Sequence, residues 1–155
     1  MNRIMLVLST TRQSKKTIEY AVEKANQEKA HIDLLFILDS NISNAVFTKI
    51  HEMDLLGEGP SEELQAIIMK EYRQRGYALI EEIEAKLKEK EVSYSVYVER
   101  GEFADEVLKK ISTLSIELVI LTRARRSNIA RMIFGSAVDR IIDEAPCKVE
   151  VIDEN

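Results

Sequence analysis

Hydroxyl, guanidinium and glycine residues gather in three short stretches of this chain, and together they have the chemistry of an anion site. Leu8-Ser9-Thr10-Thr11 closes one apolar strand-like run, Thr122-Arg123-Ala124-Arg125-Arg126-Ser127 closes another, and Gly135-Ser136-Ala137 leads into an apolar-periodic helix. Hydroxyls, arginine forks and the free N–H groups of a helix start are the common donors to phosphate oxygens. Ser9, Thr10, Thr122, Arg123, Arg125, Gly135, Ser136 and Ala137 are therefore the candidate phosphate-binding residues. Ser136 also has a use that needs no ligand. With Asp139 three residues on, it makes a variant of the capping box, the serine hydroxyl closing the helix start.

Other chemistries fit the residues less well. The two histidines, His31 and His51, have no motif context, and no Ser/His/Asp, Cys/His, HExxH or P-loop glycine-lysine pattern occurs, so no catalytic residue is expected. Without a Cys/His cluster at ligand spacing no metal centre is expected either. A receiver domain would need acidic groups at the end of the first strand to hold Mg²⁺, which Ser9-Thr10-Thr11 cannot supply. Arg123, Arg125, Arg126 and Arg131 put four arginines within nine residues, a patch that could serve nucleic acid. The patch has no interleaved aromatics and the chain carries a net charge of −5, so nucleic acid is not the expected partner.

These residues must be held by elements that the pattern of apolar side chains reveals. The chain has 155 residues, 45% hydrophobic and 32% charged, enough for one domain over 1–155 with its own core. Ile4–Leu8, Ile32–Leu38, Val92–Val98, Glu117–Leu121 and Val149–Ile152 read as strands. The first and fourth are continuously apolar, as in a parallel sheet covered on both faces. Val92, Tyr94, Val96 and Val98 instead alternate with Ser93, Ser95 and Tyr97, which places the third strand nearer an edge. Helical faces lie between: Ile18, Ala21, Val22 and Ala25; then Leu64, Ile68, Tyr72, Leu79, Ile80, Ile83 and Leu87; then Ala104, Val107, Leu108 and Ile111; then Val138, Ile141, Ile142 and Ala145. The order βαβαβαβαβ predicts an α/β fold, a parallel sheet doubly wound with helices on both faces, whose ligand crevice lies beyond the strands' carboxyl ends. Glu82, Lys86, Glu84 and Lys88 are spaced for i,i+4 pairing on a solvated helix face. Residues 41–61 form an irregular insert after the second strand, either a short helix on the sheet edge or an element for a lid or a protein partner.

The spacing also resembles the universal stress protein family. Members end with Gly-x-x-Gly, nine residues, then Gly-Ser/Thr, a helix, and an Ala-Pro-Cys-Pro-Val approach to the last strand. In the same register this chain has Thr122-x-x-Arg125, nine residues, Gly135-Ser136, and then Ala145-Pro146-Cys147-Lys148-Val149. Gly101-Glu102-Phe103-Ala104-Asp105-Glu106-Val107 resembles the family's opening of the third helix. The resemblance implies a five-stranded, Rossmann-like parallel sheet of order 3-2-1-4-5. In the nucleotide-binding branch it implies ATP between the ends of strands one and four, with an Asp closing the first strand and glycines against the phosphates.

Here Ser9 stands at the Asp position, and Thr122 and Arg125 at two of the glycines. A non-glycine residue costs about 1–2 kcal/mol where φ must be positive, and its Cβ keeps a triphosphate off the backbone. The expectation is a non-catalytic stress-response binding module, at most a weak ATPase, with a degenerate crevice and weak or absent ATP binding. The alternative is ATP or AMP, with Mg, held by Gly135-Ser136 and the arginine loop. The last strand ends the sheet with one side unpaired, which together with the resemblance predicts a homodimer through Val149 and Val151. The single cysteine, Cys147, and the lack of any apolar run of about 20 residues predict a cytoplasmic protein, neither exported nor membrane-bound.

Overall fold

Successive side chains of a strand point to opposite faces, so a strand that is apolar throughout must be covered on both. β1 (Arg3–Ser9) is buried from Ile4 onward and β4 (Leu118–Arg123) is buried from Leu118 to Thr122, and they lie side by side in the middle of the sheet. In the computed structural model the described residues are 2–9, 12–39, 62–123 and 137–153. The readings above on Thr10, the 41–61 insert, Arg125, Gly135 and Ser136 fall outside them. β2 (His31–Asp39) and β3 (Tyr94–Gly101) extend the sheet on one side and β5 (Lys148–Asp153) on the other, giving the order β3-β2-β1-β4-β5 with every pair parallel.

Helices α1 (Lys15–Glu28) and α2 (Glu62–Glu89) cover one face, and α3 (Phe103–Leu114) and α4 (137–144) the other. The sheet supplies alternate residues to the two cores. Ile4, Leu6 and Leu8 join Ile18, Val22, Ile83 and Leu87, whereas Met5 and Val7 join Phe103, Val107, Ile111 and Ile141. Val92, Tyr94, Val96 and Val98 pack toward α1 and α2, as their alternation predicts, but the strand starts at Tyr94 and not at Val92. The helix before it explains the shift: Glu91 takes φ 56° and Val92 N–H donates to Leu87 O at 2.9 Å, so the helix exit uses up the first two residues. Glu84, read as an ion-pair partner on a solvated face, accepts from the Tyr94 hydroxyl at 2.7 Å and ties α2 to the edge strand.

One glycine is required by the packing. A Cβ on Gly76 would lie 2.6 Å from Cε1 of Phe36, a buried ring on β2, so α2 approaches the sheet there as only glycine permits.

Candidate functional site

The expected crevice lies where β1 and β4 end. The connection from β4 crosses to the face opposite the one taken from β1, the topological switch of a doubly wound sheet. Ser9 and Thr122 are both there and both 0% exposed, yet their side chains do not share a crevice. The register Leu6↔Ile120, continued by two residues, sets Thr122 level with Leu8 and not with Ser9. Thr122 therefore points to the α1 face, whereas Ser9, in step with Met5 and Val7, points to the α3 and α4 face.

Each hydroxyl is committed within the protein. Thr122 Oγ1 donates to Thr17 Oγ1 at 2.8 Å, and Thr17 Oγ1 lies 2.7 Å from Ser14 Oγ, the N-cap of α1, which accepts from Thr17 N–H at 3.1 Å. This chain of three hydroxyls bolts the end of β4 to the start of α1. On the other face Ser9 Oγ accepts from Arg12 N–H at 3.0 Å while Ser9 N–H donates to Arg12 O at 3.2 Å, tying the end of β1 to Arg12. Arg12 lies inward: the residue is only 3% exposed, and its guanidinium lies 4.1 Å from the centroid of Phe103, the first residue of α3. Of the remaining candidates, Arg123 is exposed and pairs with Asp139 Oδ1 at 3.3 Å, and Ala137 opens the described part of α4 against the core. Val149 and Val151 turn their side chains to the α3 and α4 core, and the outer flank of β5 has no neighbouring strand among the described residues. Cys147 is half-buried, and burial pushes its thiol up, away from the reactive thiolate.

Sequence reasoning passed over Arg12, Phe103 as its platform, and the caps at Ser14 and Glu102. The Glu102 carboxylate accepts from Ala104 N–H at 3.2 Å and Asp105 N–H at 2.8 Å. The serine before a helical pattern was a signal for the first cap. No local signal marks the contact of Arg12 with Phe103.

At the opposite, amino end of the sheet the structure does gather two serines, a histidine and an aspartate, which sequence patterns had not suggested. His31 Nδ1 is 2.7 Å from Ser93 Oγ, and its Nε2 is 3.0 Å from Ser95 Oγ and 3.4 Å from Asp33 Oδ1. Asp33 is fully buried and already gripped by the Arg3 fork, Nε to Oδ2 at 2.9 Å and Nη2 to Oδ1 at 3.0 Å, which in turn raises the Arg3 guanidinium. A carboxylate neutralised in this way is a poor orienter for a catalytic base, so the group serves as an ionic clasp between β1, β2 and β3. Among the described residues no cluster of three or more His, Cys, Asp or Glu is arranged for a metal ion, and no helix is long and apolar enough to cross a membrane.

Comparison with known proteins converges on one family. The family model described as universal stress protein family matches residues 1–153. The universal stress protein of Methanothermobacter thermautotrophicus is 21% identical over 155 residues, covering 98% of this chain and 96% of that one. Among solved structures, the universal stress protein UspA from Lactobacillus plantarum superposes with a TM-score of 0.72 at 13% identity over 97% of each chain. A universal stress protein family protein from Arabidopsis thaliana with AMP bound gives 0.61 at 17% identity over 100% of this chain and 93% of that one. At such identities the structural likeness speaks for the fold, while the family match spans all but the last two residues, and the chain belongs to the universal stress protein family.

Proposed function

We propose that this protein is a regulatory binding module of the stress response, without catalysis of its own, in which the crevice at the ends of β1 and β4 binds ATP weakly or not at all. The commitment of both strand-end hydroxyls carries this reading. Ser9 and Thr122 are fully buried, face opposite sides of the sheet and are used in internal hydrogen bonds, so neither is offered to a nucleoside or a phosphate. Ser9 also supplies no carboxylate for a ribose or for a metal-bound phosphate. The AMP-bound Arabidopsis relative makes AMP the first probe of the rival reading, in which Gly135-Ser136 and Arg123 with Arg125 hold the phosphates.

Thermal melts with and without Mg-ATP and AMP separate the two. Ligand at 100 times its Kd adds about 2.7 kcal/mol, so an unchanged Tm at millimolar nucleotide is the expected result. A clear rise would overturn the proposal, as would ATP turnover that tracks the purified protein. The module acts in the cytoplasm as a homodimer whose protomers meet along the open flank of β5 near Val149 and Val151. A monomeric mass by light scattering at tens of micromolar would remove the dimer from this account and leave the crevice reading untouched.

A further inference from the structure

An arginine is seldom enclosed unless something holds it, because its head is charged and its stem is flexible. Arg12 is enclosed at the carboxyl end of the sheet, where a ligand of this fold would be sought. The two hydrogen bonds between Ser9 and Arg12 fix the backbone from which the side chain leaves, and the side chain then crosses to the α3 face. There the guanidinium lies over the Phe103 ring at 4.1 Å, and Phe103 is itself only 1% exposed. Guanidinium is flat, delocalised and weakly hydrated, so it stacks on an aromatic face much as a planar heterocycle does.

From this geometry we infer that Arg12 is the resident occupant of the crevice and the residue that sets its specificity. With Arg12 in place the Phe103 face is taken, and a planar base such as adenine cannot stack on it. With Arg12 withdrawn, Phe103 becomes a platform for that base. The inference rests on the reading that the intact crevice holds nucleotide weakly, and it names what makes it so.

The experiment measures adenosine and AMP binding to the full chain by calorimetry, in the native protein and in Arg12→Ala. Adenosine has no phosphate, so it reports stacking without the charge of Arg12. The expected result is a gain of about tenfold in adenosine affinity in Arg12→Ala, abolished again in Arg12→Ala with Phe103→Leu. Arg12→Lys, which keeps the charge and loses the flat fork, should show part of the gain and serves equally if the alanine variant does not fold. No gain in either single variant overturns the inference. So does a fall in AMP affinity on Arg12→Ala, which would make Arg12 a phosphate ligand. Strong binding by the native protein would instead defeat the weak-nucleotide reading, and the ratio between native and variant would still test the role of Arg12.

Discussion

The two ends of the sheet hold their buried polar groups by different means. At the amino end Asp33 is a buried charge enclosed by the Arg3 fork and His31, with Ser93 and Ser95 completing the shell from β3 and the turn before it. At the carboxyl end the one enclosed charge described, Arg12, lies over the Phe103 ring, and Ser9, Thr122, Thr17 and Ser14 are neutral hydroxyls joined by single hydrogen bonds. A buried charge must keep every partner, because an unpaired one is costly, whereas each neutral link has a net worth of about 1 kcal/mol. The amino end is therefore the part of the fold that resists change. At the carboxyl end the hydroxyl links, Arg12 apart, can be exchanged at low cost.

The largest expected effect tests the amino end. Arg3→Ala leaves Asp33 buried with His31 as its remaining ion-pair partner among the described residues and should cost about 3 kcal/mol in urea denaturation, at the low end for a broken buried pair because Arg3 is partly exposed. Asp33→Asn keeps the shape and frees Arg3 to water, so it should cost less. If Arg3→Ala costs no more than the loss of one hydroxyl at the other end, the contrast between the ends fails. Next comes Gly76→Ala, where the new Cβ would press on the buried Phe36 ring. Overpacking of about 1–3 kcal/mol is offset by up to about 1 from better helix propensity, for a net loss of about 1–2 kcal/mol. At the carboxyl end Thr122→Val removes the link to Thr17 in a nearly equal volume and should cost about 1 kcal/mol. Because Thr122 faces α1, the same variant should leave the adenosine response of Arg12→Ala unaltered. A changed response would place Thr122 in the crevice after all.

Much of the sheet was legible in the residues, and the reason is periodicity. The continuous runs of β1 and β4 announced strands covered on both faces, and the alternation in β3 identified both its edge position and the side chains it turns toward α1 and α2. What escaped was register and long-range contact. Ser9 and Thr122 both follow apolar strands and read as partners, but a register that sets Thr122 level with Leu8 sends them to opposite faces. His31 and Ser93 are 62 residues apart, and no local pattern records their meeting. Arg12 reads as one more polar loop residue, because the ring it lies over comes from α3, far along the chain in the helix that follows β3.

A third polar group, on the surface, shows how much burial adds to the contrast. Glu150 of β5 accepts a hydrogen bond from the Tyr20 hydroxyl of α1 and lies 3.7 Å from Lys24 Nζ and 3.4 Å from Lys148 Nζ. Partial burial pushes its carboxyl up, but the Tyr20 hydrogen bond and the two ammonium groups together outweigh this and hold it below the ordinary carboxylate value. A carboxyl depressed in the folded state stabilises the protein above its unfolded value, roughly pH 4.3, and loses that contribution as pH falls through the lower folded value. Glu150→Gln should therefore cost about 0.5 kcal/mol at pH 6, a typical worth for a partly exposed pair, and the gap between variant and native protein should close toward pH 3. Urea midpoints across that range measure it. A gap that stays constant with pH would mean that Glu150 contributes by packing and hydrogen bonding alone. A gap as large as that of Arg3→Ala would mean that burial is not what separates the ionic clasp of the amino end from the polar contacts elsewhere.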